Sequence, residues 1–308
     1  MLKKFSNYFK KITNIEKIFY VFLIFVIIIV ITNTGKDFKE GFDQKNRGEF
    51  KINNTIKEIY NDKYVSIYDD LVFSRPRSIF EITSIINDYA PSKTNYVLDV
   101  GSGTGHTVAA LNMNGVKAMG VDKSEAMVSL SKKEYPKYEF IAADIMNPML
   151  FDSNSFSHIS CLYFTIYYIS DKRQFFKNCY NWLKPNGKLV LHLVDRKKFN
   201  PIIPAGDPFH VVSPQSYTDK RLMKTNVKFD QFDYISEFKD SDNDITLFEE
   251  IFKYKNGKVE KNIHKFYMPS QKYILSLAKD AGFIFLSKTE MNHINYDNQY
   301  IYVLTKSE

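Results

Sequence analysis

The sequence predicts an α/β fold with a doubly wound, mostly parallel sheet, and three observations support this. Short apolar runs of strand length alternate with segments of helical periodicity between residues 95 and 195. The run at 97–100 stops at a turn with three glycines and restarts as a helical pattern. Asp122 and Asp144 follow the next two runs. Strands and helices that alternate in this way build parallel sheets, which bind ligands at the carboxyl ends of their strands.

Residues 1–34 precede this pattern and have a different composition. A lysine-rich lead, residues 1–17, carries a net charge of +4 and is followed by 14 consecutive apolar residues at 18–31. With residues 15–34 included, the segment reaches the roughly 20 residues that a membrane-spanning helix needs. We therefore expect a single-pass membrane anchor. A cleaved signal peptide is the alternative, although the sequence at 32–34 is a poor cleavage site, and a buried core helix is a third interpretation.

Charge and cysteine content exclude several classes of protein. The chain has a net charge of +7, but only +3 lies beyond residue 17, so no nucleic-acid partner is expected. Its two cysteines, Cys161 and Cys179, fall on a predicted strand and a predicted helix, which disfavours a disulfide and favours a reducing compartment. No His/Cys cluster has metal-ligand spacing, and we expect no metal site.

The remaining segments follow in chain order. Residues 35–51 are polar and predict a tether, and residues 52–196 predict the core, with helices from 52 and over 78–89. Within the core we expect strands at 116–121, 140–143, 158–163 and 188–194 and a helix at 172–183. Alternating segments at 227–238, 245–254 and 259–267, the last two joined by a turn at 255–258, predict a small antiparallel insert within 197–270. Residues 271–308 predict a helix at 271–281 and the last two strands of the core, at 283–286 and 300–304.

The glycine turn carries the most specific signal. It reads Asp99-Val100-Gly101-Ser102-Gly103-Thr104-Gly105, with an acid two residues before the first glycine. The spacing differs from the Gly-x-Gly-x-x-Gly of dinucleotide-binding loops. The stretch instead resembles motif I of class I S-adenosylmethionine methyltransferases. The turn Leu-Lys-Pro-Asn-Gly at 183–187 resembles the turn into the fifth strand of the same family, so that the resemblance spans about residues 95 to 195. The AKDAGF segment at 278–283 is similar to a segment of many small-molecule methyltransferases.

This resemblance implies a Rossmann-like sheet of seven strands, S-adenosylmethionine as cofactor and methyl transfer as activity. The candidate cofactor residues are Tyr68, Arg77, Asp99, Gly101, Ser102, Gly103, Gly105, Asp122, Lys123, Asp144, Ile145 and Cys161. Within the family pattern, the glycine turn holds the methionine moiety, Asp122 the ribose and Asp144 the adenine edge. Arg77 is placed to hold the methionine carboxylate and Tyr68 to cover the sulfonium. Asp122 could instead cap a helix, and Arg75 is an alternative to Arg77.

The sequence indicates the methyl acceptor less clearly than the cofactor. Once acceptor and methyl group are aligned, the transfer needs little help from side chains unless a proton must be removed. Candidates for catalysis are Tyr163, His192, Asp195 and His264, with Tyr167 and His210 as further possibilities. The segment at 161–164 lacks the Asn-Pro-Pro-Tyr and Pro-Cys patterns of enzymes that methylate nucleic-acid bases. We expect transfer to an N or O atom of a small-molecule, lipid or protein acceptor.

Two other functions remain open. One is an NAD-binding oxidoreductase on a similar sheet, and the other is a catalytically silent, membrane-tethered scaffold that binds S-adenosylmethionine. Positive charges flank the apolar segment on both sides and leave its orientation nearly balanced. A cytosolic cofactor and the unpaired cysteines favour a catalytic part that faces the cytoplasm.

Overall fold

A computed structural model of the chain describes residue 13 and the ranges 49–86, 95–206, 214–241 and 243–308. Its strands are β1 (Phe50–Asn53), β2 (Val97–Val100), β3 (Ala118–Asp122), β4 (Glu139–Ala142), β5 (Phe156–Cys161), β6 (Leu183–Val194), β7 (Lys224–Lys228), β8 (Phe232–Asp240), β9 (Ile245–Tyr254), β10 (Val259–Tyr267), β11 (Phe283–Glu290) and β12 (Gln299–Lys306). Its α-helices are α1 (Ile56–Ile59), α2 (Asp62–Val72), α3 (Arg75–Ile86), α4 (His106–Met113), α5 (Glu125–Glu134), α6 (Thr165–Tyr168), α7 (Lys172–Trp182) and α8 (Gln271–Asp280). Short 3₁₀ turns lie at Pro204–Gly206, Pro214–Tyr217 and Asn292–Ile294.

The core is a seven-stranded sheet with the order β11-β12-β6-β5-β2-β3-β4. Strands β4, β3, β2, β5 and β6 are parallel neighbours, and β12 runs antiparallel to both β6 and β11. Because side chains alternate across a strand, Val97 faces one hydrophobic cluster and Leu98 faces the other. The predicted doubly wound, mostly parallel sheet is thus confirmed.

Several helices begin where the sequence supplies a capping side chain. The Ser124 hydroxyl accepts the backbone N–H of Met127 at the start of α5, and Asp171 caps α7 in the same way. Thr55 and Glu58 form a reciprocal capping box at α1. At the end of α8, Gly282 has φ = 104°, the left-handed conformation that glycine adopts without strain. These local signals fix the bounds of the helices.

The predicted antiparallel insert is present as a second sheet with the order β1-β10-β9-β8-β7. Strands β9 and β10 have the predicted bounds, because the turn at 255–258 fixes their register. The segment expected as one strand at 227–238 is instead the pair β7 and β8, with a turn between them.

Three expectations about the amino-terminal part need correction or fall outside the described residues. Residues 50–51, expected in the tether, belong to β1, and β1 pairs in parallel with β10. The helix expected at 78–89 is α3, which begins three residues earlier, and residues 87–89 are not described. The expected anchor at 15–34 also lies outside the described residues. No helix among those that are described is long and apolar enough to cross a bilayer.

Candidate active site

A cavity of about 350 Å³ opens at the carboxyl ends of β2, β3 and β5, a size typical of small-molecule sites. Helices α2 and α3 and the aromatic face of the insert sheet also line it. Most of the sequence-predicted site residues meet here: Tyr68, Arg77, Asp99, Gly101, Ser102, Gly103, Asp122, Lys123, Asp144, Ile145, Tyr163 and His264. The carboxyl edge of a parallel sheet therefore gathers residues that are far apart in the sequence.

The glycine turn after β2 brings backbone close to this cavity. Gly101, Gly103 and Gly105 have φ values of 68°, 52° and 91°, which L side chains rarely adopt. A Cβ on Gly101 would lie 2.4 Å from Cγ2 of Thr165, so the close approach of α6 also requires glycine at this position. The turn is therefore set both by backbone conformation and by space.

Asp122, at the end of β3, holds the turn in place. Its Oδ2 accepts the backbone N–H of Gly103 at 2.9 Å, and its Oδ1 accepts that of Ser124 at 2.8 Å. Burial raises the pKa of the Asp122 carboxyl, while these backbone N–H groups oppose the rise. Each carboxylate oxygen keeps a further lone pair that can accept a ligand hydroxyl.

Asp144 follows β4 and forms an ion pair with Lys123, the residue after Asp122. Lys123 Nζ lies 2.7 Å from Asp144 Oδ2, and the Met146 N–H donates to Oδ1 at 3.0 Å. Partial burial raises the pKa of Asp144, but these two donors outweigh it and the net pKa is lowered. Ile145 and the aliphatic stem of Lys123 line the same part of the cavity.

Arg77 in α3 is 6% exposed and is only partly satisfied by the protein. Its Nη2 donates to the Val72 carbonyl at 3.3 Å, and its Nε lies 3.7 Å from Glu81 Oε2. The guanidinium carbon stands 3.8 Å from the ring centre of Tyr163. Nε and Nη1 have no hydrogen-bond partner within the protein. A buried guanidinium with unpartnered N–H groups beside a cavity is suited to a ligand carboxylate.

Two further residues of the site have unusual features: Tyr163 in its backbone conformation and Asp99 in its pKa. Tyr163 has φ = 50°, an uncommon conformation for an aromatic residue that directs it from the tip of β5 toward Arg77. Asp99 in β2 is 3% exposed and accepts the Ser160 hydroxyl at 2.7 Å. Burial raises the pKa of Asp99 to about 7, and the nearby charges of Glu81 and Asp122 add to the rise while Ser160 opposes it. Asp99 thus changes charge near neutral pH.

A polar contact between α2 and the glycine turn was not predicted from the sequence. Asp69 accepts the Thr104 hydroxyl at 2.8 Å and contacts His106 Nε2 at 2.8 Å. His106 Nδ1 in turn contacts the Tyr135 hydroxyl at 2.9 Å. This network holds α2, which carries Tyr68, over the turn. The sequence offered only a pair of acids, Asp69 and Asp70, as a signal.

A second unpredicted network lies on the insert side of the cavity. The hydroxyls of Tyr60 and Tyr168 are 2.8 Å apart, and the Tyr168 hydroxyl lies 2.5 Å from His264 Nδ1. His264 Nε2 contacts Glu250 Oε2 at 2.7 Å, and the Tyr234 hydroxyl donates to Glu250 Oε1 at 2.6 Å. Glu250 is fully buried. The signal that could have revealed it is an acid at an inward position of β9, between Phe248 and Phe252.

Other predicted residues lie away from the cavity lining. Cys161 is fully buried in the core, where burial raises its thiol pKa, and a Cβ on Gly105 would lie 2.8 Å from the Phe140 ring. His192 bonds Glu81 and Gln299 in the core, and the Asp195 N–H donates to the Asn298 carbonyl. Each of these four residues has a structural contact that explains its position.

Two further candidates are also outside the lining, and a third is not described. The Tyr167 hydroxyl accepts the Val194 N–H at 2.7 Å, and Arg75 is exposed. His210 lies outside the described residues.

Comparisons with known proteins agree with this geometry. Residues 98–191 match the family model described as a methyltransferase domain. The chain is 35% identical over 92 residues to demethylmenaquinone methyltransferase of Chlorobaculum tepidum, a match that covers 30% of this chain and 37% of that protein. It is 31% identical over 110 residues to ubiquinone biosynthesis O-methyltransferase of Coxiella burnetii, covering 34% of this chain and 45% of that protein. The chain thus spans less than half the length of these curated relatives.

The fold is also found among solved structures. An S-adenosylmethionine-dependent methyltransferase from Clostridium acetobutylicum aligns with a TM-score of 0.60 at 21% sequence identity. The alignment covers 80% of this chain and 99% of that one. Residues 98–191 are therefore similar to a methyltransferase domain, and the core has the fold of S-adenosylmethionine-dependent methyltransferases.

Proposed function

We propose that the chain transfers a methyl group from S-adenosylmethionine to a small-molecule acceptor bound in the same cavity. The observation that carries this proposal is the buried guanidinium of Arg77, whose Nε and Nη1 lack a partner beside the cavity. S-adenosylmethionine has a carboxylate at one end, a ribose diol in the middle and an adenine amino group at the other end. Arg77, Asp122 and Asp144 offer complementary groups to these three parts.

In this proposal, different residues bind different parts of the cofactor. Arg77 binds the methionine carboxylate, and Asp99, once ionised, binds the neighbouring ammonium. Asp122 accepts the ribose hydroxyls with the lone pairs that Gly103 and Ser124 leave free. Asp144 accepts from the adenine amino group, and Ile145 with the Lys123 stem flanks the ring.

The chemistry follows from this placement. S-adenosylmethionine supplies a methyl group bound to a positively charged sulfur, which a nucleophile displaces in line. The protein aligns the acceptor with that methyl and excludes water, and orientation of this kind can lower a barrier by ~7–11 kcal/mol. Tyr68 and Tyr163 line the cavity, and aromatic rings stabilise a nearby positive charge.

The acceptor in this proposal is a largely apolar small molecule. Phe238, Phe248 and Phe266 line the insert side of the cavity, and their ring centres lie 4.7–6.3 Å apart. Such a wall fits a planar apolar body. The two curated relatives are named for demethylmenaquinone and for ubiquinone biosynthesis, which is compatible with an acceptor of this character.

We further propose that residues 15–34 anchor the chain in a membrane, with the catalytic domain on the cytoplasmic side. The 14 apolar residues at 18–31 and the lysines that precede them support this. The full-length chain should sediment with membranes after alkaline carbonate washing. The double substitution of Ile24→Arg and Ile28→Arg should release it, because charged residues at the centre of a spanning helix are costly. Release of the unsubstituted chain by carbonate would refute the anchor.

Isothermal titration of the full-length chain with S-adenosylmethionine and with NAD tests the cofactor. We expect saturable binding of S-adenosylmethionine only. Asp122→Ala should weaken this binding about 10- to 100-fold, as loss of hydrogen bonds to a charged group does, whereas Asp152→Ala, at an exposed acid away from the cavity, should not. Preference for NAD, or equal affinity in Asp122→Ala, would overturn the assignment.

A further inference from the structure

Four hydrogen-bonded side chains run from the cavity into the insert sheet: Tyr60, Tyr168, His264 and Glu250. They come from three separate parts of the chain, next to α1, in α6 and in the β9–β10 hairpin. The cofactor groups described above do not use them. Tyr60, Tyr168 and His264 all line the cavity.

The chemistry of Glu250 sets the direction of these hydrogen bonds. Burial raises the pKa of Glu250, but His264, Tyr234 and Tyr64 outweigh it and the net pKa is lowered, which favours the carboxylate. A carboxylate only accepts hydrogen bonds, so His264 donates through Nε2–H. In the neutral imidazole, Nδ1 then carries a lone pair and accepts from Tyr168.

The same reasoning gives the direction of the remaining hydrogen bond in this row of four side chains, at the end nearest the cavity. Because the Tyr168 hydroxyl donates to His264, its oxygen accepts the hydroxyl of Tyr60. The lone pairs of the Tyr60 oxygen then stand at the cavity end of the row and can accept the proton of a bound hydroxyl. A neutral imidazole oriented by a buried carboxylate is the usual arrangement of a general base.

We propose that Tyr60, Tyr168, His264 and Glu250 form a proton relay for an acceptor that is methylated on a hydroxyl oxygen. This inference rests on the proposed function. The acceptor oxygen forms a bond to the methyl carbon while the sulfur–methyl bond breaks and its electron pair stays on sulfur. The acceptor proton passes to Tyr60, the Tyr60 proton to Tyr168, and the Tyr168 proton to His264 Nδ1. The imidazolium formed is paired with Glu250.

Charge balance favours a hydroxyl acceptor over an ammonium. The sulfonium brings one positive charge into the cavity, and an ammonium would add a second beside it. With a neutral hydroxyl, the positive charge on sulfur disappears in the same step that creates it on His264, so the charge in the site stays constant. The wall of Phe238, Phe248 and Phe266 beside His264 suits the planar body of a phenol.

The titratable groups that face His264 come from several elements. They are Glu250 in β9, Tyr168 in α6, and Tyr60 and Tyr64 around α1 and α2, with Tyr234 of β8 behind Glu250. Burial raises the pKa of Tyr60 and of Tyr168, so both remain protonated near neutral pH and can pass a proton on.

The test uses the full-length chain, S-adenosylmethionine and 4-methylphenol, which is un-ionised at neutral pH, and chromatography measures the methyl ether formed. We expect methylation of 4-methylphenol and not of 4-methylbenzylamine. Tyr168→Phe and His264→Asn should each lower kcat by about 100-fold or more, while the affinity for S-adenosylmethionine is unchanged. Tyr167→Phe is the matched control on the same helix, because its hydroxyl bonds Val194 outside the row.

A second readout does not depend on turnover. Nitrogen NMR of the histidine-labelled chain should show His264 as the Nε2–H tautomer, with an Nδ1 shift that changes in Tyr168→Phe but not in Tyr167→Phe. A protonated Nδ1 in neutral His264, methylation of the amine but not the phenol, or relay variants that behave like the control would overturn the relay. Absence of S-adenosylmethionine binding would instead refute the proposed function, and binding without methylation of 4-methylphenol would refute the hydroxyl acceptor alone.

Discussion

At the scale of single residues, Arg77 and Asp99 are buried charged groups that the protein satisfies only in part. Nε and Nη1 of Arg77 lack a hydrogen-bond partner, and Asp99 is buried with one hydroxyl donor. A bound amino acid moiety would satisfy both, because it carries a carboxylate and an ammonium. The family resemblance implied Arg77 for the methionine carboxylate and left Arg75 as an alternative.

Lysine substitutions distinguish the roles of Arg77 and Arg75 in cofactor binding. Arg77→Lys should weaken S-adenosylmethionine binding by about 10- to 100-fold, because an ammonium cannot replace a planar, bidentate guanidinium. Arg75→Lys is the matched control, since Arg75 is exposed and two positions away. Titration calorimetry measures both. Equal losses in the two variants would show that the carboxylate is bound elsewhere.

The pKa of Asp99 predicts a pH-dependent affinity. Burial raises this pKa to about 7, so Asp99 is protonated in the free protein below that pH. A bound ammonium favours the carboxylate, which lowers the pKa and releases a proton on binding. Affinity for S-adenosylmethionine should therefore rise from about pH 6 to about pH 8, by at most tenfold per pH unit.

Calorimetry in two buffers of different ionisation enthalpy counts the protons released. Asp99→Asn should remove both the pH dependence attributed to this residue and the proton release. A wild-type affinity that falls over the same pH range would contradict the placement of Asp99 beside the ammonium.

At the scale of elements, the glycine turn has two separate requirements. Gly103 needs only its left-handed backbone, because a Cβ there would meet nothing within 4 Å. Gly105 needs the backbone and also space, because a Cβ would lie 2.8 Å from the Phe140 ring and 2.9 Å from Ser131 Cβ. The sequence motif names both glycines as cofactor residues. Only the contact of Gly105 with Phe140 of β4 and Ser131 of α5 shows that Gly105 packs behind the turn.

This difference can be measured in alanine variants. Gly103→Ala should lower the free energy of unfolding by about 1–2 kcal/mol, the cost of placing Cβ in a left-handed conformation. Gly105→Ala should cost clearly more, because Phe140 and Ser131 must also move. Urea denaturation of both variants provides the comparison. Equal losses would mean that the space behind Gly105 is not limiting.

Secondary structure was predictable where local signals dominate. The hairpin β9–β10 matches its expected bounds because the turn Asn256-Gly257 and alternating side chains agree. Strand β1 was missed, because Ile52, Ile56 and Ile59 have helical spacing and the strand is largely exposed. Its place beside β10 depends on pairing between residues about 200 positions apart, which no local pattern encodes.

At the scale of the whole molecule, the lining residues of one side of the cavity can be predicted from the sequence much better than those of the other side. The side proposed to bind the cofactor is built from strand tips within residues 97–145, so motif spacing predicts most of its lining. The side proposed to bind the acceptor is assembled from Tyr60, Tyr168 and His264, which only the tertiary fold brings together. A lone histidine and scattered tyrosines in a tyrosine-rich sequence gave too weak a signal.

A crystal structure of the full-length chain with S-adenosylmethionine tests the central claim most directly. We predict that the methionine carboxylate contacts Nε and Nη1 of Arg77, that the ribose contacts Asp122, and that the methyl group points toward Tyr60 and Tyr168. A cofactor bound outside this cavity, or one whose carboxylate leaves Arg77 without a partner, would contradict the account.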